Sequence, residues 1–348
     1  MAIPTLAPNS TWFAPVNGTT RASITEINIV DSYTPTGNEN DSWDASAAKD
    51  GGVMCYVNGT VLTMAGNGSG KIMANADSYK IFYNSKTDYF EALTAINGLD
   101  VLDTSNVTTL RIAFSRCISL RQLDLSSWNV ANLENIAGMC QYCVSLEVVN
   151  LTGWGAAKLK ETASAFGFYG DYGRSKLHTI LGIENLDVSQ AKNGNSMFQL
   201  CQSLVSLDLS KWDTKKFEDI GNMFYQCDNM TRLNLSGWDL SSIQNMNYVF
   251  GEMHNLKELT LGEKFRFVGY TELPTPDPAY IPNADGKWYR KSDGAAFTPE
   301  ELAVAHTGTE TYYAYPYVPL SGGAKYLINK IFSPVIAKAL TDELFPLG

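Results

Sequence analysis

A repeat with a step of 26 residues constrains this chain more than any other feature. Trp128 and Trp154 stand 26 apart, as do Trp212 and Trp238, Cys117 and Cys143, and Cys201 and Cys227. Leu120 and Leu146 keep the same step, and Leu204, Met230 and Leu256 resume it after a break in the middle. The unit is clearest at 207–230, LDLSKWDTKKFEDIGNMFYQCDNM, and at 233–256, LNLSGWDLSSIQNMNYVFGEMHNL. A period of this length means stacked copies of one small unit, each too small to bury its apolar face alone.

Each unit carries two apolar patterns. The pairs Leu123/Leu125, Val149/Leu151, Leu186/Val188, Leu207/Leu209, Leu233/Leu235 and Leu259/Leu261 alternate with polar residues, as in a strand buried on one face. The triplets Val107/Leu110/Phe114, Leu133/Ile136/Cys140, Phe217/Ile220/Phe224 and Ile243/Met246/Phe250 have the i, i+3, i+7 spacing of a short helix. The expected fold is therefore an α/β solenoid, an irregular leucine-rich repeat of about six strand-plus-short-helix units over 98–265. One unit is irregular: Leu186 follows Val149 by 37 residues and precedes Leu207 by 21. This places an insertion around Tyr169, Asp171, Tyr172 and Arg174, in a class of fold whose insertions gather on one face.

The flanks differ in composition. Residues 1–42, rich in Pro, Asn, Thr and Gly, read as an extended N-terminal arm, and 43–97 as a β-rich cap. That cap contains a hairpin, Val53–Val57 and Val61–Met64, turning at Asn58-Gly59, and further strands at Lys71–Met73 and Tyr79–Tyr83. A C-terminal cap of β/α type spans 266–320, with a helix opened by Thr298-Pro299-Glu300-Glu301 and a closing strand at Tyr312–Tyr315. The tail, 321–348, reads as an amphipathic helix kinked at Pro334, with Leu327, Ile331, Phe332 and Val335 as a docking stripe.

A net charge of −10 with no basic stripe opposes nucleic acid as a partner. No apolar run reaches the length of a membrane span, and the start MAIPTLAPNS lacks the features of an export leader. Six cysteines in 348 residues are too sparse for a disulfide scaffold.

The units resemble the BspA-like leucine-rich-repeat family. Asp103-Thr104-Ser105-Asn106-Val107-Thr108 and Leu207-Asp208-Leu209-Ser210-Lys211-Trp212-Asp213-Thr214 carry the likeness, and Gly286-Lys287-Trp288-Tyr289 resembles a module that closes such proteins. Ile27–Gly37 and Met64–Lys71 look like the openings of gut-bacterial and gut-phage members. The resemblance implies surface display and adhesion to host proteins, glycans or cells. With no export leader expected, a phage virion component, such as a capsid decoration, fibre or tail adhesion module, is the first reading. Its partners would be other virion subunits and further copies of itself, with a host surface protein or glycan as target. A bacterial surface adhesin is the first alternative.

The motifs that hint at chemistry have structural explanations within the repeat. Gly66-Asn67-Gly68-Ser69-Gly70-Lys71 lacks the first glycine and the final hydroxyl of a phosphate loop. Cys140 and Cys143 have redox spacing, but each fills a repeat column of buried residues. The tryptophans are either packing or a sugar platform. No catalytic, cofactor or metal residue is assigned, and no cofactor is expected. The positions open to a ligand are an outward polar stripe, Asp124, Asn150, Asp187, Asp208 and Asn234, and the inserted loop. A glycan hydrolase working near Asp171 or His178 is the enzymatic alternative.

Overall fold

The computed structural model describes residues 1–167 and 173–317. Its first sheet has the order β2-β3-β4-β1-β8, from β1 (Glu26–Val30), β2 (Asp41–Asp44), β3 (Met54–Asn58), β4 (Val61–Ala65) and β8 (Ala95–Asn97). Between these lie β5 (Ile72–Met73), β6 (Tyr83–Ser85) and β7 (Asp88–Tyr89). The hairpin is present, with Asn58 opposite Val61 and Gly59 at φ +61° in its turn. Residues 1–42 are not an arm. β1 is the strand between β4 and β8, and Trp12 is fully buried, stacked on Phe90 and donating Nε1–H to the Ile81 carbonyl at 2.6 Å.

The repeat strands follow as β9 (Leu102–Asp103), β10 (Gln122–Asp124), β11 (Val148–Asn150), β12 (Thr179–Leu181), β13 (Ser206–Asp208), β14 (Arg232–Leu235) and β15 (Glu258–Leu261). They do not form one sheet. β10, β11 and β12 pair in parallel as a three-stranded sheet, β9 pairs with β5, and β13 begins a separate six-stranded sheet. That last sheet continues through β14 and β15 to β18 (Glu310–Tyr313), β16 (Trp288–Arg290) and β17 (Ala296–Phe297), with β18 antiparallel to β15. The single α-helix among the described residues, α1 (Pro299–Ala305), lies after the repeats and is opened by a capping box between Thr298 and Glu301.

The α/β solenoid expectation is thus overturned. The chain is mostly small separate sheets, and the segments read as helices are chains of tight turns. Their hydrogen bonds explain why. In one unit the N–H groups of Leu110, Ile112, Phe114 and Arg116 go to carbonyls of the next unit, at Asn135, Ala137, Met139 and Gln141. The N–H groups between them, of Ala113, Ser115 and Cys117, close three-residue turns on Leu110, Ile112 and Phe114. None is left for the i→i−4 bonding of an α-helix. In the fully described units two residues, four apart, adopt positive φ, as at Ile112 (47°) and Arg116 (61°), or Asn222 (56°) and Gln226 (58°). Each such turn returns an apolar residue to the interior every three or four positions, imitating a helical pattern. Val107, Leu110 and Phe114 are indeed all buried.

The irregular unit is also registered differently from the sequence reading. Val149 pairs with Ile180, so the strand is Thr179–Leu181 and not Leu186–Val188. Leu186 takes the place of a tryptophan in the next column, its N–H bonded to Ile183 as that of Trp128 is to Leu125. The extra residue between Leu181 and Leu186 puts β12 out of step with β13, where the sheet divides. The turn side stays continuous: bridges run Asp77, Thr109, Asn135, Glu161, Asn193, Asp219, Asn245 without a gap.

Candidate functional site

Most residues singled out from the sequence are spent on the repeat itself. Asp124, Asn150, Asp208 and Asn234 do face outward on the strand side. However, each side chain accepts the N–H two residues on, from Ser126, Thr152, Ser210 and Ser236, at 3.0 to 3.1 Å. The Ser126 hydroxyl and N–H hold the Asp124 carboxyl below the usual carboxylate range. These are Asx turns that leave the strand. Asp187 is not in this stripe. Leu181, 46% exposed, occupies its place, while Asp187 caps Ser189 in a second column with Asp103, Asn129, Asp213 and Asp239.

The tryptophans are interior. Trp128, Trp154, Trp212 and Trp238 donate Nε1–H to the carbonyls of Leu99, Leu125, Ile183 and Leu209 at 2.9 to 3.1 Å, each 29 residues back. The six cysteines are free and buried. Burial pushes their thiols up, Cys143 to about 12, so none is poised as a thiolate.

Tyr169, Asp171 and Tyr172 lie outside the described residues, as do Leu327, Ile331, Phe332 and Val335. Arg174 is exposed and its charge is felt by Asp228, whose carboxyl burial raises above its usual range. His178 is exposed, with Nδ1 2.9 Å from the Thr179 hydroxyl, beside a shallow depression where the sheet divides. Among the described residues no group of three or more His, Cys, Asp or Glu is placed to hold a metal ion. No helix among them is long and apolar enough to cross a membrane.

The feature missed in the sequence is a cleft of about 500 Å3 between the last repeat and the C-terminal module. Glu252, His254, Tyr270, Glu272, Pro274 and Glu300 are among its lining residues. Tyr248 and Tyr270 meet edge to face at 5.5 Å, and Tyr225 meets Tyr248 likewise at 6.4 Å. Tyr280 stacks on His254 at 4.7 Å, and Glu252 lies 3.4 Å from the same imidazole. Tyr248, Tyr270 and Tyr280 are all exposed, Tyr270 by 63%. The Glu272 charge holds the Tyr270 phenol above its usual range. Aromatic faces beside carboxylates suit ligands that combine apolar surface with donor or cationic groups.

The last repeat supplies one side of this cleft, Glu252 and His254, and the chain that follows it supplies the rest. Tyr248 occupies the positive-φ corner that Ile112, Gly138, Ser164, Ser196 and Asn222 occupy in earlier units, and its N–H bonds to the Tyr270 carbonyl at 2.7 Å. The repeat pattern could not reveal it, because Tyr270 and Tyr280 come from the irregular chain that follows the last repeat.

The described chain is thus a set of small sheets whose short strands and turns recur at a step of 26 residues in its regular parts. Residues 81–179 and again 168–262 match the family described as "Mycoplasma protein of unknown function, DUF285", together just over half of the chain. The chain belongs to this family. No curated protein matches it.

Proposed function

We propose that this is a non-enzymatic display protein whose turn face, and above all its tyrosine cleft, binds an external partner. The observation that carries the reading is the gathering of exposed aromatic rings at one cleft, Tyr270 in its lining, Tyr248 against Tyr270 and Tyr280 against the lining His254, while the tryptophans and thiols are buried and the strand-side carboxamides and carboxylates are used by turns. Scattered exposed apolar residues need no explanation, but aromatic groups gathered at a concave site do. The BspA-like resemblance supports the same reading, with host proteins, glycans or other cells as targets.

The test is retention of the full chain on a glycan array and on immobilised mucin. The triple substitution Tyr248→Ala, Tyr270→Ala, Tyr280→Ala should lose binding while keeping its circular dichroism. A wild-type protein that binds neither surface, or a triple variant that binds as well as wild type, rejects the proposal. A place in a phage virion, first among the settings suggested by the resemblance, and a place on a bacterial surface are both compatible with this binding body. Mass spectrometry of purified phage particles and of bacterial envelopes separates them.

A further inference from the structure

The cleft between the last repeat and the C-terminal module is one-sided in charge. Glu252, Glu272 and Glu300 line it, and none of its described lining residues is Lys or Arg. Glu252 lies 3.4 Å from the His254 imidazole, and among the described residues neither Glu272 nor Glu300 enters an ion pair.

The carboxylates are interleaved with the rings. Gly251 leaves the backbone of the last repeat bare: a Cβ there would meet Glu272 Oε2 at 2.5 Å and the Tyr225 ring at 2.7 Å. The Glu272 carboxylate therefore rests on that backbone beside the ring, and Tyr225 leads edge to face through Tyr248 to Tyr270. The Tyr270 phenol is held up chiefly by the Glu272 charge, with a smaller push from Glu300. Tyr225 is held up by burial first, then by Glu252 and Glu272. All three carboxylates thus act on one row of rings.

Such a row sorts ligands by charge. An anionic sugar is repelled by the carboxylates, and a neutral one strips water from them without supplying a counter-charge. A pyranose ring with a free ammonium meets both demands. Its C–H face lies on a tyrosine, and its ammonium is drawn to the ring face and to a carboxylate. A lysine side chain brings the same ammonium on a slender stem, too little to cover rings exposed at a cleft of about 500 Å3.

We propose that the cleft holds a glycan of amino sugars with free ammonium groups, a de-N-acetylated hexosamine chain. This rests on the tyrosine cleft being the binding site and narrows the ligand it takes.

Isothermal titration calorimetry of the full chain tests it with two probes, an oligomer of glucosamine and the same oligomer fully N-acetylated. Both are used below neutral pH, so that free amines are charged. The glucosamine oligomer should bind about tenfold or more tighter. Glu272→Gln/Glu300→Gln keeps the tyrosines and should bring that affinity down to the level of the N-acetylated oligomer, whose own binding it leaves unchanged. Equal binding of the two oligomers by wild type, tighter binding of the acetylated one, or a preference that survives in the variant overturns the proposal. So does an oligolysine peptide that binds as tightly as the glucosamine oligomer, which would assign the cleft to basic proteins. A wild-type protein retained on the glycan array or on mucin that binds neither oligomer also overturns it and leaves the display function standing. One that binds none of these rejects both.

Discussion

Trp212→Phe tests the tryptophan column most directly. Trp212 is 1% exposed, stacks on Trp238 at 6.2 Å with ring planes 4° apart, and donates Nε1–H to the Ile183 carbonyl at 2.9 Å. Phenylalanine keeps part of the stack and removes the donor. The Ile183 carbonyl still accepts the Leu186 N–H at 3.2 Å, so it is not orphaned, and the bond itself contributes about 1 kcal/mol. The smaller ring gives up apolar burial and stacking area worth about another 1–2 kcal/mol. The expected loss is roughly 2–3 kcal/mol in urea unfolding at constant slope. Trp128→Phe, at a site 5% exposed with a 3.1 Å bond, should lose less. A Trp212→Phe protein within about 0.5 kcal/mol of wild type would refute the ladder role. So would loss of glycan binding at unchanged stability, which would restore the tryptophans as a sugar platform.

Two further outcomes follow from buried titratable groups. All six thiols are free and buried, with their pKa values pushed up by burial, so Ellman's reagent should find none in the native protein and six in denaturant; rapid native reaction would contradict the packing. His306 is held below its ordinary pKa, mainly by burial, with Nε2–H donated to the Gly262 carbonyl and the Tyr312 hydroxyl at Nδ1, both 2.9 Å. The unfolded chain therefore binds the proton first. The stabilisation is complete above about pH 6.5 and declines as pH falls below it, so hydrogen-exchange protection factors over 298–313, corrected for the intrinsic rate at each pH, should fall selectively from pH 7 to pH 5.

The period of 26 residues, the strand positions in regular units and the interior columns were legible because burial repeats with the chain. Trp128, Trp154, Trp212 and Trp238, the cysteines and the leucine pairs of β10, β11, β13, β14 and β15 all point inward as their spacing requires. The helix was not legible correctly, because turns of three and four residues return side chains to the core with the same spacing as a helix. What separates the two is whether N–H groups bond within the unit or across to the next, and residue types do not report that. Ile112 illustrates the difficulty: a β-branched residue at φ 47° is disfavoured by about 1 kcal/mol and gives no local signal for the turn it makes. The shift at β12 was hidden for a related reason. Leu186 and Val188 mimic a strand pair, while the true strand, Thr179–Leu181, places an exposed leucine where its neighbours place Asp or Asn. The tyrosine cleft depends on chain beyond the repeats, so no periodicity could have located it.

The ends of the stack limit how copies can meet. At the C-terminal end β18 runs antiparallel on β15 and covers its edge, so a further copy cannot extend the sheet there. On the strand side the polar groups are used in turns, and the tryptophan column is interior.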